Sequence, residues 1–135
     1  MTAPSPFPAP QTVLLIEDDR DICAAVIEIL ADEGFQTVAV ANGAEGLERL
    51  RSSAPRPFLI VLDLMLPVMD AWEFVAAQRS DAAIASIPVA IFSANPKIAK
   101  HADQLGAAAI IRKPPSLDEL VEIVTRFAAG GSAVA

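Results

Sequence analysis

At 135 residues, 53% of them hydrophobic and 20% charged, the chain is long enough to bury one domain's core and too apolar to be a disordered protein. Its net charge of −7 disfavours nucleic acid as a partner, and one cysteine with one histidine excludes both an internal disulfide framework and a zinc site. No apolar run is long enough to cross a bilayer, and the N-terminus lacks the basic and apolar regions of a signal peptide, so a cytoplasmic protein is expected.

Residues 1–11, with proline at positions 4, 6, 8 and 10, predict a disordered, polyproline-type tail, read as a passive tail in preference to the alternative of a docking peptide. The fold is expected over residues 12–129, as one domain without repeats, with a second disordered tail at 130–135. "TVLLIE" (12–17) is a short, nearly continuous apolar run, as expected for a strand covered on both faces. Ile22, Val26, Ile29 and Leu30 then mark a helical stripe ended by Gly34. "FQTVAV" (35–40) is the second strand, and Leu47 and Leu50 mark the second helix. "FLIVLD" (58–63) is the third strand, followed by a helix striped by Trp72, Val75 and Ala76. "PVAIFSA" (88–94), a faint helix around Ile98 to Leu105 and a weak strand "AAIIRK" (108–113) come next. Ser116 and Glu119 have the spacing of a capping box, opening a helix with Leu117, Leu120, Val121 and Val124 on its buried face. Cys23 reads as a small core residue, Trp72 as helix packing and His101 as a solvated helix residue.

Five βα units in series imply a parallel sheet with helices on both faces, and a ligand site beyond the carboxyl ends of the strands. Those ends carry polar groups: Glu17, Asp18 and Asp19 after the first strand, Asp63 after the third, Ser93 at the fourth and Lys113 at the fifth. Each has an ordinary explanation alone, as a helix-start acid, a turn residue or a solvated lysine. Together they share one rim. Crowded carboxylates repel unless a cation sits among them, and an oxygen-ligating ion, Mg²⁺ before Ca²⁺, suits the set. Lys113 adds a positive charge suited to a phosphoryl oxygen and Ser93 a hydroxyl donor. The set describes phosphoryl transfer to a carboxylate nucleophile.

"LLIEDD", "VLDLMLPVMD", "IFSA" and "RKP" fall in the order and spacing of response regulator receiver domains, the CheY-like family of two-component signalling. "GAAAIIRKPPSLDELVEIV" resembles that family's closing βα unit. The resemblance implies a flavodoxin-like (βα)5 fold with strand order 2-1-3-4-5. It implies that Asp63 is the phosphoacceptor, that Asp18 binds Mg²⁺ directly and Glu17 mostly through water, and that the main-chain carbonyl of Met65 completes the metal site. Ser93 takes the switch position, Lys113 pairs with the phosphoryl group, and the Lys113–Pro114 bond is cis. Asp19 falls in the register of a helix-start residue. The implied partners are a histidine kinase or histidine phosphotransfer protein and a downstream protein target, with the chain a monomer or weak dimer. It would be no enzyme beyond catalysing its own phosphorylation and dephosphorylation.

The chain departs from the family pattern at Val68 and Ala71, where most members carry glycine, at Pro115, and at Ile110, where an aromatic ring is usual. A receiver-like scaffold that no longer switches is therefore the alternative. A flavodoxin-type nucleotide binder is a distant third, because "EDDRDI" supplies acids where a phosphate-cradling glycine loop is needed.

Overall fold

Parallel pairing of five apolar runs builds the sheet. The structure, a computed structural model, describes residues 11–128 except 53, 54 and 67. The elements are β1 (Gln11–Ile16), α1 (Arg20–Asp32), β2 (Phe35–Val40), α2 (Gly43–Arg51), β3 (Leu59–Asp63), α3 (Ala71–Arg79), β4 (Val89–Ser93), α4 (Ile98–Leu105), β5 (Ala109–Arg112) and α5 (Leu117–Ala128). The strand order is β2-β1-β3-β4-β5, all parallel, as the resemblance implies. The expected tails lie outside the described residues, apart from Gln11, which opens β1 and donates to the Ala128 carbonyl at 3.1 Å.

The alternation of strand side chains divides the core in two. Leu14, Ile16, Ile60, Leu62 and Ile91 face one layer, where Leu47, Phe74, Val75, Ile98 and Leu105 cover them from α2, α3 and α4. Val13, Leu15, Leu59, Val61, Phe92 and Ile111 face the other, against Val26, Leu30, Leu120, Val124 and Phe127 of α1 and α5. Both faces are buried, so the strands read as continuous apolar runs with no period of two. Gly34 follows α1 at φ +87°, a left-handed position that glycine occupies without steric cost.

Three helix expectations need correction. In α3 the buried residues are Ala71, Phe74, Val75 and Gln78, while Trp72 and Ala76 are exposed. A capping box on the preceding residue sets this phase: Asp70 accepts from the Glu73 amide and the Glu73 carboxylate from that of Asp70. At α5 only half of the expected box forms. Ser116 Oγ accepts from the Glu119 amide at 3.1 Å, but the Glu119 carboxylate turns to the Arg112 amide. Leu117, placed on the buried face by its spacing, is 58% exposed; Leu120, Ile123, Val124 and Phe127 carry the packing. His101 is half buried, its ring edge-on to Trp72 at 5.3 Å between centroids.

One buried polar side chain adds to the backbone hydrogen bonds of the turn leading into β4. Gln78 Nε2 donates to the carbonyls of Ile84 and Ile87, at 2.9 and 3.0 Å. Buried acceptors stripped of a donor are costly. Gln78→Met, which keeps the volume and removes both donations, is expected to lower stability by about 1–3 kcal/mol, read from the urea midpoint at unchanged slope.

Candidate functional site

Strand register assembles the site. Ile16 pairs with Leu62, so Glu17 lies one residue beyond β1 beside Asp63, the last residue of β3. Asp63 pairs with Phe92, which places Ser93 one step on, and Ser93 pairs with Arg112, which places Lys113 one step past β5. Groups far apart in sequence thus share one rim.

The acids converge. Glu17, Asp18 and Asp63 each offer a carboxylate oxygen within 4.8 Å of the others, with Glu17 and Asp63 buried and Asp18 exposed. Lys113 Nζ pairs with Glu17 Oε1 and lies 3.5 Å from Asp63 Oδ2, with its side chain 16% exposed. The same ammonium sits 4.9 Å above the Phe92 ring. The Lys113–Pro114 bond is cis, as the resemblance implies.

Backbone amides hold the carboxylates in place. The Asp19 amide donates to Glu17 Oε2 at 3.1 Å, and the Met65 amide to Asp63 Oδ1 at 3.1 Å. Ser93 Oγ accepts from the Asn95 amide at 3.0 Å, and the Ser93 carbonyl from the Lys113 amide at 3.0 Å. Asp19 caps α1, accepting from the amides of Asp21 and Ile22, so it is the helix-start residue of the acidic triplet.

Burial pushes the Glu17 carboxyl above its ordinary range. The Lys113 ion pair and the Asp19 amide pull it back, and the Asp63 charge pushes it further up. Cys23, whose thiol donates to the Glu17 carbonyl at 3.4 Å, is also raised, chiefly by burial and then by the neighbouring acids. That position suits an unreactive packing residue.

Two buried carboxylates beside a third, with one ammonium among them, carry surplus negative charge. Oxygen donors at this separation fit a small hard cation such as Mg²⁺, which uses few carboxylates and keeps waters. The chemistry of the donor set therefore fits the metal.

The loop after Asp63 departs from relaxed geometry. Val68 has φ +68° and is 80% exposed. A left-handed backbone costs an L-residue about 1–2 kcal/mol, so a β-branched side chain stands here without packing to offset the strain.

A doubly wound α/β domain with an acidic rim and an opposed lysine defines a class of protein. The sequence model of the response regulator receiver domain matches residues 13–125, and the chain belongs to this family of two-component signalling proteins. The transcriptional regulatory protein CrdR of Helicobacter pylori is 36% identical over 117 residues, covering 85% of this chain and 54% of that protein. The chain spans about half the length of the first curated relatives it matches. Among solved structures, the phosphorylated cyanobacterial phytochrome response regulator RcpA is 30% identical, with a TM-score of 0.72 over 94% of this chain and 97% of that one. The receiver domain of sensor histidine kinase PA1611 from Pseudomonas aeruginosa, with magnesium in its active-site cleft, shares the fold at TM-score 0.79 and 24% identity, over 90% of this chain and 99% of that one.

The different placements of Asp18 and Asp19 separate two effects. Asp18→Ala is expected to weaken Mg²⁺ binding by about tenfold or more, as loss of a charged donor should. Asp19→Ala should leave Mg²⁺ affinity near wild type while lowering stability by about 1 kcal/mol through the lost cap. Calorimetric Mg²⁺ titration and urea denaturation of both variants check this; equal losses of affinity would put the register of the triplet wrong.

Proposed function

We propose that this chain is a phosphorylatable switch that accepts a phosphoryl group on Asp63 and acts through protein contacts. The observation that carries the reading is the convergence of Glu17, Asp18 and Asp63 at one rim, with Lys113 reaching both buried acids.

Glu17, Asp18 and Asp63, with the main-chain carbonyl of Met65, would hold Mg²⁺, which when bound offsets the charge of the acids and of the phosphoryl oxygens. Asp63 is held for attack through Oδ1, fixed by the Met65 amide, so one oxygen is oriented before the donor arrives. An Asp63 oxygen bonds to the donor phosphorus as the phosphorus–nitrogen bond of a phosphohistidine, or the phosphorus–oxygen bond of an acyl phosphate, breaks with its electron pair on the donor. Lys113 then pairs with a phosphoryl oxygen instead of the Asp63 carboxylate. The Ser93 hydroxyl, already oriented by the Asn95 amide, donates to the same group. In the reverse sense, water attacks phosphorus, and Asp63 leaves as a carboxylate with inorganic phosphate as product. The chain is in this reading no enzyme towards other substrates. Its partners are a histidine kinase or phosphotransfer protein and a downstream protein, and it works in the cytoplasm.

Output strength is a separate matter. Ile110 packs half buried against the layer formed by α2, α3 and α4. A β-branched aliphatic is stiff at its first torsion and cannot swing a polar edge between core and solvent. Phosphorylation should therefore change partner affinity by less than the roughly 5- to 150-fold typical of allosteric coupling, or act through the loop after Ser93. Ile110→Tyr should widen the difference; a large wild-type difference that Ile110→Tyr leaves unchanged would make the missing ring irrelevant.

The nucleophile is tested with acetyl phosphate and Mg²⁺, read by intact mass. The wild type should gain one phosphoryl group, stable in acid and labile in base. Asp63→Asn, which keeps shape and removes the nucleophilic charge, should gain none. Wild-type incorporation in Asp63→Asn would defeat the assignment.

A further inference from the structure

We propose that the cleft between α1 and α5 is a docking groove for a basic amphipathic helix of a partner protein. None of its lining residues belongs to the acidic rim, so the inference stands apart from the reading of Asp63.

The cleft has a volume of about 720 Å³. Ile29, Leu117 and Val121 supply its apolar surface, with Leu117 58% exposed and the other two half buried. Leu117 is the residue whose spacing assigns it to the core and whose position denies it one. The half-formed cap at Ser116 starts α5 so that Leu120, Ile123, Val124 and Phe127 face the sheet, leaving Leu117 and Val121 on the flank towards α1. An exposed leucine beside two half-buried aliphatics between two helices is a shape that a third helix fills through an i, i+3, i+4, i+7 ridge.

Charge selects the occupant. Asp32 and Glu33 line the cleft from the α1 side, Asp118 and Glu122 from α5. Among the described residues, the only cation in the lining is Arg126, which lies 3.8 Å from Glu122. Among the described residues, Asp32, Glu33 and Asp118 have no basic group at ion-pair distance. All four acids are exposed, so each stays solvated until a partner arrives. A helix with lysine or arginine flanking its apolar ridge meets the acids on both walls. A second copy of the chain would bring acids against acids, on top of a net charge of −7 per copy. Nucleic acid and anionic lipid carry the wrong sign.

The probe is a synthetic helical peptide with leucine at i, i+3, i+4 and i+7 and lysine at the flanking positions. Two controls accompany it: the same composition with the leucines scrambled, and the same ridge flanked by glutamate. Binding to the full chain is followed by amide resonance shifts and by anisotropy. The lysine peptide should bind with shifts centred on Ile29, Val121 and Thr125, and weaken as salt rises. Leu117→Ser should reduce its affinity by about tenfold or more, as truncation of a central apolar anchor does, while phosphoryl incorporation from acetyl phosphate stays at wild-type level. Asp118→Lys with Glu122→Lys should shift the preference towards the glutamate peptide. Equal binding of the scrambled peptide, or no binding of any peptide, would overturn the groove. So would a dimer in sedimentation that Leu117→Ser dissociates, because the second copy would then be the occupant.

Discussion

Like-charge repulsion at the end of a parallel sheet governs how the groups of this rim are arranged. Parallel strands in matched register deliver their C-terminal residues to a single edge, and this chain puts carboxylates on two of those ends. At the separations found here, each pair of charged carboxylates repels by on the order of 1–3 kcal/mol, taking an effective dielectric between water and a protein surface. Burial makes it worse for Glu17, whose carboxyl is pushed upward first by lost hydration. Lys113 relieves part of this by touching both buried acids, and the backbone amides of Asp19 and Met65 take one oxygen from each. What remains is a net negative cradle whose oxygen donors fit a small hard cation.

The same frame explains what could be read from the amino-acid sequence. Strands buried on both faces advertise themselves as unbroken apolar runs, and "FLIVLD" and "TVLLIE" locate their own carboxyl ends because an acid closes each. Once the strands are known to be parallel, Glu17, Asp63, Ser93 and Lys113 must share an edge, and the structure brings them together. The role of Asp19 follows from register too: its carboxylate is spent on the first amides of α1.

Helix phase was less legible. α3 is short, and an apolar Trp-Val-Ala stripe competes with an Ala-Phe-Val-Gln stripe; the capping box at Asp70 and Glu73 decides between them, and its spacing was the signal to find. Leu117 misled because hydrophobicity marks an apolar face without saying which neighbour covers it. Gln78 gave no warning, since a glutamine inside an amphipathic helix looks solvated until its carbonyl partners are known. The left-handed turn at Val68 was equally hidden, because valine is a poor choice for that backbone.

Trapping the acyl phosphate shows which of the three carboxylates takes a phosphoryl group at this rim. Borohydride reduces an aspartyl phosphate to homoserine, a permanent mark that peptide sequencing by mass spectrometry assigns to a position. After incubation with acetyl phosphate and Mg²⁺, the mark is expected at position 63 alone. A mark on Asp18 or Glu17, or no mark at any carboxylate, would contradict that expectation.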